Sequence, residues 1–269
     1  MISIIILTKN EELDLPSCLK TVSWSDDVHV LDSGSTDATI EIARANGAVV
    51  SSNPFRSFGQ QRNHALDHLE IKYEWILFLD ADEHVSDAFK KEIFEAVENS
   101  ADDVAGFYCC WKMMLYGVWL KRCDNFPKWQ FRLMRKGRAR FSDFGHGQKE
   151  SEVSGKIEYI QEPYIHYGFS KGWSLWIDRH NRYSTQESIA RGGKKPPFRQ
   201  CFSKHGSERN PALKSWLSQL PGWPLLRFLH AYVINLGFLE GMPGLIYCVN
   251  MAYYEFLIQI KIKELKDET

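Results

Sequence analysis

The sequence predicts an α/β fold, a mostly parallel sheet with flanking helices, and three observations carry that prediction. Over the first hundred residues, short apolar β-branched runs alternate with helical patterns, as βαβ units require. The first run, residues 2–8, is apolar at nearly every position, as in a strand buried on both faces. Each run also ends in a polar cluster: Thr8 to Glu12, Asp32 to Asp37 and Asp80 to Glu83. In such sheets, ligands bind beyond the carboxyl ends of the strands.

The elements follow in order. After the strand at 2–8, Leu13 to Val22 is an amphipathic helix with Pro16 tolerable in its first turn. Val28 to Leu31 is the second strand, and Asp32-Ser33-Gly34-Ser35-Thr36-Asp37 is a tight polar turn. It feeds a helix from Ala38 to Asn46 that Gly47 closes. A short third strand (Ala48 to Ser51), a helix near Gly59 to Leu69 and a fourth strand (Trp75 to Leu79) come next. The fourth strand runs into Asp80-Ala81-Asp82-Glu83, and a further helix begins at Ser86. From 105 to 167, aromatic-rich strands such as Gly106-Phe107-Tyr108 and Trp129 to Leu133 predict a mixed-sheet extension. Ser170 to Ile189 reads as a helix with Ser170 as its N-cap.

The division expected is an α/β domain that carries the polar rim over 1–189, and a basic linker with an apolar helical region over 190–269. Residues 190–214 hold seven Lys or Arg against one Glu, and 215–260 hold only Arg227, Glu240 and Glu255 as charges. The longest uncharged stretch there, Gly241 to Tyr254, has fourteen residues and contains Pro243. That is short of the ~20 residues a spanning helix needs. An apolar segment, broken at its prolines and glycines and set beside a basic loop, fits peripheral association with an anionic membrane, with a buried hairpin as the competing reading.

Composition narrows the function classes. With 269 residues, 44% hydrophobic and 25% charged, the chain suits a globular protein with a sizeable core. A net charge of −1 gives no general attraction to nucleic acid, so no nucleic-acid partner is expected. Six cysteines without CxxC spacing read as free thiols, and the first residues lack a basic n-region and cleavage site. Both point to a cytoplasmic protein, peripheral on the inner face of the membrane.

The chemistry sits at the strand ends. Asp80-Ala81-Asp82 closes a buried strand, and a hard divalent cation such as Mg²⁺ is held by one or two carboxylates plus substrate phosphates. The sequence carries neither a GxGxxG turn nor a GxxxxGK[ST] loop, so a diphosphate bound here calls for a metal. The alternative reading is that the acidic residues cap the helix starting near Ser86.

Four segments, in order and spacing, resemble the family 2 glycosyltransferases of GT-A (Rossmann-like) fold. They are Ile5 to Glu12, Leu31 to Asp37, Gln61-Arg62-Asn63 and Phe78 to Glu83. Within that family the chain is similar to the lipopolysaccharide-core β-glucosyltransferase group. The resemblance implies an inverting transfer of a hexose, glucose above all, from a UDP-sugar to a saccharide or glycolipid acceptor, with Mg²⁺ or Mn²⁺. It implies that Glu11 or Glu12 and Asp32 contact uridine and ribose, with Thr8, Arg62 and Ala81 lining the nucleotide pocket. Asp80 lies near ribose or metal, and Asp82 ligates the metal. The group carries a His-Glu pair on a loop that here reads Asp143-Phe144-Gly145-His146-Gly147-Gln148-Lys149-Glu150. His146 matches and Gly147 replaces the Glu, which leaves Asp143 and Glu150 as base candidates, with Glu150 favoured. His166, after an apolar strand, reads first as a satisfied structural histidine, with a phosphate oxygen or the metal as the alternative partner. The alternatives within reach are a polyprenyl-phosphate sugar transferase and a non-catalytic nucleotide-sugar-binding module.

Overall fold

A computed structural model describes residues 1–144, 147–192 and 196–267. In chain order the elements are β1 (Ile2–Thr8), α1 (Leu15–Thr21), β2 (Val28–Asp32), α2 (Thr39–Ala45), β3 (Val49–Ser52), α3 (Phe58–His68), β4 (Trp75–Asp80), β5 (Glu83–His84), α4 (Asp87–Asn99) and β6 (Val104–Leu115). Then come β7 (Val118–Trp119), β8 (Trp129–Arg135), β9 (Arg140–Phe144), β10 (Gly147–Ser151), β11 (Lys156–His166), α5 (Gly172–Gly192), α6 (Gly206–Leu217), α7 (Trp223–Leu229) and α8 (Gly241–Asp267), with short helical turns between the last few.

The chain forms two compact units. The first comprises Met1–Leu115 with Phe126–Lys171, the second Tyr116–Asn125 with Gly172–Thr269. The divide at Lys171 lies well before 189/190, because α5 packs lengthwise on α8 and so belongs with the C-terminal helices.

The first unit is built on a sheet of order β3-β2-β1-β4-β8-β6-β11-β5. The pairs β3–β2, β2–β1 and β1–β4 are parallel, β8 runs antiparallel to β4 and β6, and β11 is parallel to β6. This is the mostly parallel mixed sheet with flanking helices that the alternation predicts. Side chains alternate along β1: Ile2, Ile4 and Ile6 join α1 and α4 on one face, while Ile5 and Leu7 join α3 on the other. Both faces are covered, so the strands are apolar throughout. The hairpin β9–β10 stands apart from the main sheet and packs on α3.

Register places the chemistry. Thr8 pairs with Asp32, Asp32 with Ser52, and Leu7 with Asp80, so the carboxyl ends of four parallel strands share one rim. β11 then runs beside β5 and pairs His166 with Glu83, which brings residue 166 to the Asp80–Glu83 turn.

In the second unit one sequence expectation is corrected. Residues 190–214 are not a plain linker, since a 3₁₀ turn (Phe198–Phe202) and α6 occupy most of the described part. The Phe198 ring meets Trp216 edge-on at 5.2 Å, and the Trp216 indole N–H donates to the Pro196 carbonyl at 3.1 Å. These contacts order a stretch whose composition alone reads as loop. The breaks expected at 221–224 and 241–244 fall where α7 and α8 begin, and α8 then runs 27 residues from Gly241. Pro243 sits in its first turn, where the missing N–H has no partner to lose. At α5, Ser170 does not cap the helix, and its hydroxyl donates instead to Asp14 at 2.8 Å.

Candidate active site

The loops after β1 and β2 are tied together by Asp32. Its carboxylate is fully buried, and Oδ1 accepts from Thr8 Oγ1 (3.0 Å) and Ser35 Oγ (2.5 Å). Oδ2 accepts from the amides of Gly34 and Ser35, both at 2.8 Å. Gly34 lies at φ +87°, a conformation glycine adopts without strain, and this lets both amides point at one oxygen. A carboxylate offers about four lone-pair positions, and all are filled here. Asp32 therefore organises the loop between β2 and α2. Thr8 is its partner rather than a lining group.

The neighbouring loop is arranged likewise. Asn10 Oδ1 accepts the Thr36 amide at 2.9 Å, and Glu12 Oε2 accepts the Ala38 amide at 3.1 Å at the start of α2. Glu12 is thus a cap for α2. Glu11 instead faces the rim, ion-paired with Lys171 Nζ at 2.6 Å. Burial, reinforced by the charge of Asp82 and opposed by Lys171, pushes the Glu11 carboxyl up to about 7.

At the end of β4 lies a network of charges. Asp80 Oδ1 meets Arg62 at 3.3 Å and Oδ2 meets Arg132 at 2.9 Å, while Arg132 also meets Glu83 at 2.5 Å. Glu83 Oε2 accepts the Asp80 amide at 2.9 Å and thereby shapes the turn. Burial opposes ionisation of Asp80, yet Arg132 and Arg62 hold its carboxyl well below the usual range. Burial pushes the Glu83 carboxyl up, with Arg132 opposing. Arg62, 1% exposed, packs between the rings of Phe78 and Phe141, and burial lowers its guanidinium to about 10. Arg62 and Arg132 each keep buried N–H groups without a protein partner, which aim positive charge at this corner.

Asp82 points to a different neighbour, His166 Nε2, at 3.4 Å. Burial alone would lower the imidazole, but Asp82 raises it to about 9. The Tyr167 amide donates to the Asp82 carbonyl at 2.8 Å, which fixes the two loops together. Among the described residues, no group of three or more His, Cys, Asp and Glu is gathered to hold a metal on its own. Asp82 with His166 could serve as protein ligands to a cation, whereas Asp80 is engaged by two guanidiniums that repel one. Ala81, between them, is buried and serves as core.

Of the base candidates, His146 lies outside the described residues. Asp143 Oδ1 accepts the Gly59 amide at 3.1 Å at the start of α3. Glu150 Oε1 accepts the Tyr108 hydroxyl at 2.6 Å. Both stand on the β9–β10 hairpin, whose backbone is anchored to α3 through Asn63 and Phe141. Sequence reasoning missed Arg132, Glu83 and Lys171 as members of the site. An arginine inside the apolar strand Trp129–Arg135 was the available signal for Arg132. Lys171 had none, since only the return of the chain after β11 brings it to Glu11.

Comparison with known proteins adds the following. The model of Glycosyl transferase family 2 matches residues 3–148. An uncharacterized glycosyltransferase of Rickettsia typhi is 26% identical over 98% of this chain and 87% of its own length. The lipopolysaccharide core biosynthesis glycosyltransferase LpsC of Rhizobium meliloti is 23% identical over 97% of this chain and 91% of that protein. Among solved structures, glucosyl-3-phosphoglycerate synthase from Mycobacterium tuberculosis in complex with UDP is 25% identical, with a TM-score of 0.35. That match covers 42% of this chain and 44% of the synthase, less than half of its length.

Proposed function

The chain belongs to glycosyl transferase family 2, and from that premise we propose that it transfers a hexose, glucose first among candidates, from a UDP-sugar to a saccharide or glycolipid acceptor with inversion. The acceptor would belong to lipopolysaccharide or another cell-surface glycan, and the enzyme would act at the inner face of the cytoplasmic membrane. The likeness to LpsC over nearly the whole chain supports this acceptor class. The single observation that carries the chemistry is the rim corner where Asp82 meets His166 beside the Arg-clamped Asp80.

Mg²⁺ or Mn²⁺ held by Asp82 and His166 would neutralise charge on the departing diphosphate. The other roles fall to the chain's own residues. Asp80, fixed by Arg62 and Arg132, presents an ionised carboxylate to the hydroxyls of ribose or sugar. Glu11, on the same rim, contacts the nucleotide in this reading, since Glu12 is taken up by the Ala38 amide. One carboxylate of the hairpin, Glu150 or Asp143, accepts the proton of the acceptor hydroxyl. The acceptor oxygen then bonds to the anomeric carbon as the bond to the diphosphate oxygen breaks on the opposite face.

The test is a donor screen with the purified chain and Mg²⁺ or Mn²⁺, read as release of nucleoside diphosphate. UDP-glucose is expected to give the highest rate. No release with any nucleotide sugar, with or without acceptor glycolipid, would sink the reading.

A further inference from the structure

Several polar groups of the second unit are engaged within it, while apolar side chains of its last helices face outward. Of its few charges between 215 and 260, Glu255 is buried, ion-paired with Arg191 at 2.8 Å and accepting the Trp223 N–H at 3.0 Å. Glu240, half-buried, accepts from the amides of Arg122 and Cys123. Tyr247 donates its hydroxyl to Asp124 in the interior, and Lys261 donates to Asn181, Ser184 and Thr185 between α5 and α8. Outside, α8 exposes Met242, Val249, Tyr253, Phe256 and Ile260, spaced seven, four, three and four apart, which is one helical stripe. α7 packs on α8 and adds exposed Leu225, Leu226 and Leu229. Together the two helices line an apolar groove of about 330 Å³ between Leu225, Phe228, Val249, Tyr253 and Phe256. Beyond α7, Ile234 is 70% exposed and Leu239 59%. In water this arrangement is unfavourable, because an apolar patch of this extent has no cover.

We propose that the α7–α8 face lies embedded in one leaflet of a bilayer, as a monotopic anchor that hydrophobic burial rather than charge holds in place. Among the described residues no single helix is long and apolar enough to cross, and the pair 223–234 with 237–267, long enough together, is bent by 71° at its break, which suits a segment that enters one leaflet. A second copy of the chain would also cover an apolar face. A lipid surface is favoured because the same unit exposes Phe198 and Phe202 beside exposed Arg199 and Lys204. Aromatic side chains interleaved with cations suit the headgroup level of an anionic leaflet. This deepens the membrane association proposed above and does not depend on the donor chemistry.

The experiment is flotation of the full chain with phosphatidylcholine vesicles, with and without phosphatidylglycerol, at low salt and at about 1 M salt, where screening reaches ~3 Å. The chain is expected to stay with anionic vesicles at high salt and to leave them in mild detergent. The double variant Leu225→Glu/Phe256→Glu is expected to lose binding on the order of tenfold or more, with unchanged helicity. Arg199→Gln/Lys204→Gln is expected to weaken only the low-salt binding. Complete release of the parent chain by salt overturns the embedded mode. So does absence of binding together with a detergent-free dimer that Leu225→Glu/Phe256→Glu dissociates. If the double variant fails to fold, quenching of tryptophan fluorescence by brominated lipid in the parent chain decides, and absence of quenching overturns the proposal. Donor turnover measured in solution reports on the catalytic reading separately.

Discussion

At the scale of single residues, the two aspartates of Asp80-Ala81-Asp82 are chemically unlike. Asp80 is held by two guanidiniums, whereas Asp82 has an imidazole beside it. Asp82→Asn is therefore expected to abolish metal-dependent donor binding and transfer while the circular dichroism spectrum stays unchanged; near-normal turnover would refute the assignment. Asp32→Ala should act mainly on structure. It leaves buried amides and hydroxyls without an acceptor, at a cost of about 1–3 kcal/mol in urea unfolding, together with a raised donor KM. An unchanged stability with a raised KM would assign Asp32 to direct ribose contact. His166 makes stability depend on pH. Its pKa is raised from 6.5 to about 9, so the folded state binds the proton more tightly than the unfolded one. The stabilisation is complete below pH 6.5 and is lost as pH rises through about 9. Metal-free protein should thus lose about 1–3 kcal/mol across that window, and His166→Gln should flatten the loss.

At the scale of elements, the β9–β10 hairpin decides where the base stands. Gly59 lets it approach α3 closely, since a Cβ there would meet Asp143 Oδ1 at 2.8 Å and backbone of Ser142 at 3.1 Å. Asp143→Asn keeps an acceptor for the Gly59 amide, and Glu150→Gln keeps one for Tyr108, so both amides preserve the fold. One of the two is expected to lose 10²–10⁴-fold in transfer, roughly the contribution of a positioned base. Donor affinity measured alongside should be unchanged. If both single variants and the double variant turn over normally, neither carboxylate is the base. The strand pair β11–β5 is the other deciding element, because its register brings His166 beside Glu83 and so to Asp82.

At the scale of the whole molecule, donor binding should be visible as stability. A ligand that binds only the folded chain adds about 2.7 kcal/mol at one hundred times its Kd. UDP-glucose with Mn²⁺ is therefore expected to raise the thermal midpoint, Mn²⁺ alone to raise it less, and Asp82→Asn to remove the metal-dependent part. An equal shift in parent and variant would place the metal elsewhere.

The sequence by itself determined the sheet and its rim. Continuous apolar runs such as Ile2 to Leu7 and Trp75 to Leu79 can lie only in a strand covered on both faces, and their polar ends mark the carboxyl edge. Thr8, Asp32 and Asp80 were legible there because strand register aligns what the chain places at each strand end. What the tertiary structure alone decided was partnership. Lys171 on Glu11, Arg132 on Asp80 and His166 on Asp82 are brought together across 160, 52 and 84 positions of sequence respectively. No local pattern encodes such pairs, and they exist only once the sheet has closed its order. The same holds for the helical C-terminal unit. Composition shows that 215–260 is nearly free of charge, but only packing shows that Glu255 is buried against Arg191 while Leu225, Val249, Tyr253 and Phe256 face out. A helix's outer stripe is defined by what its inner stripe meets, and that choice belongs to the folded chain.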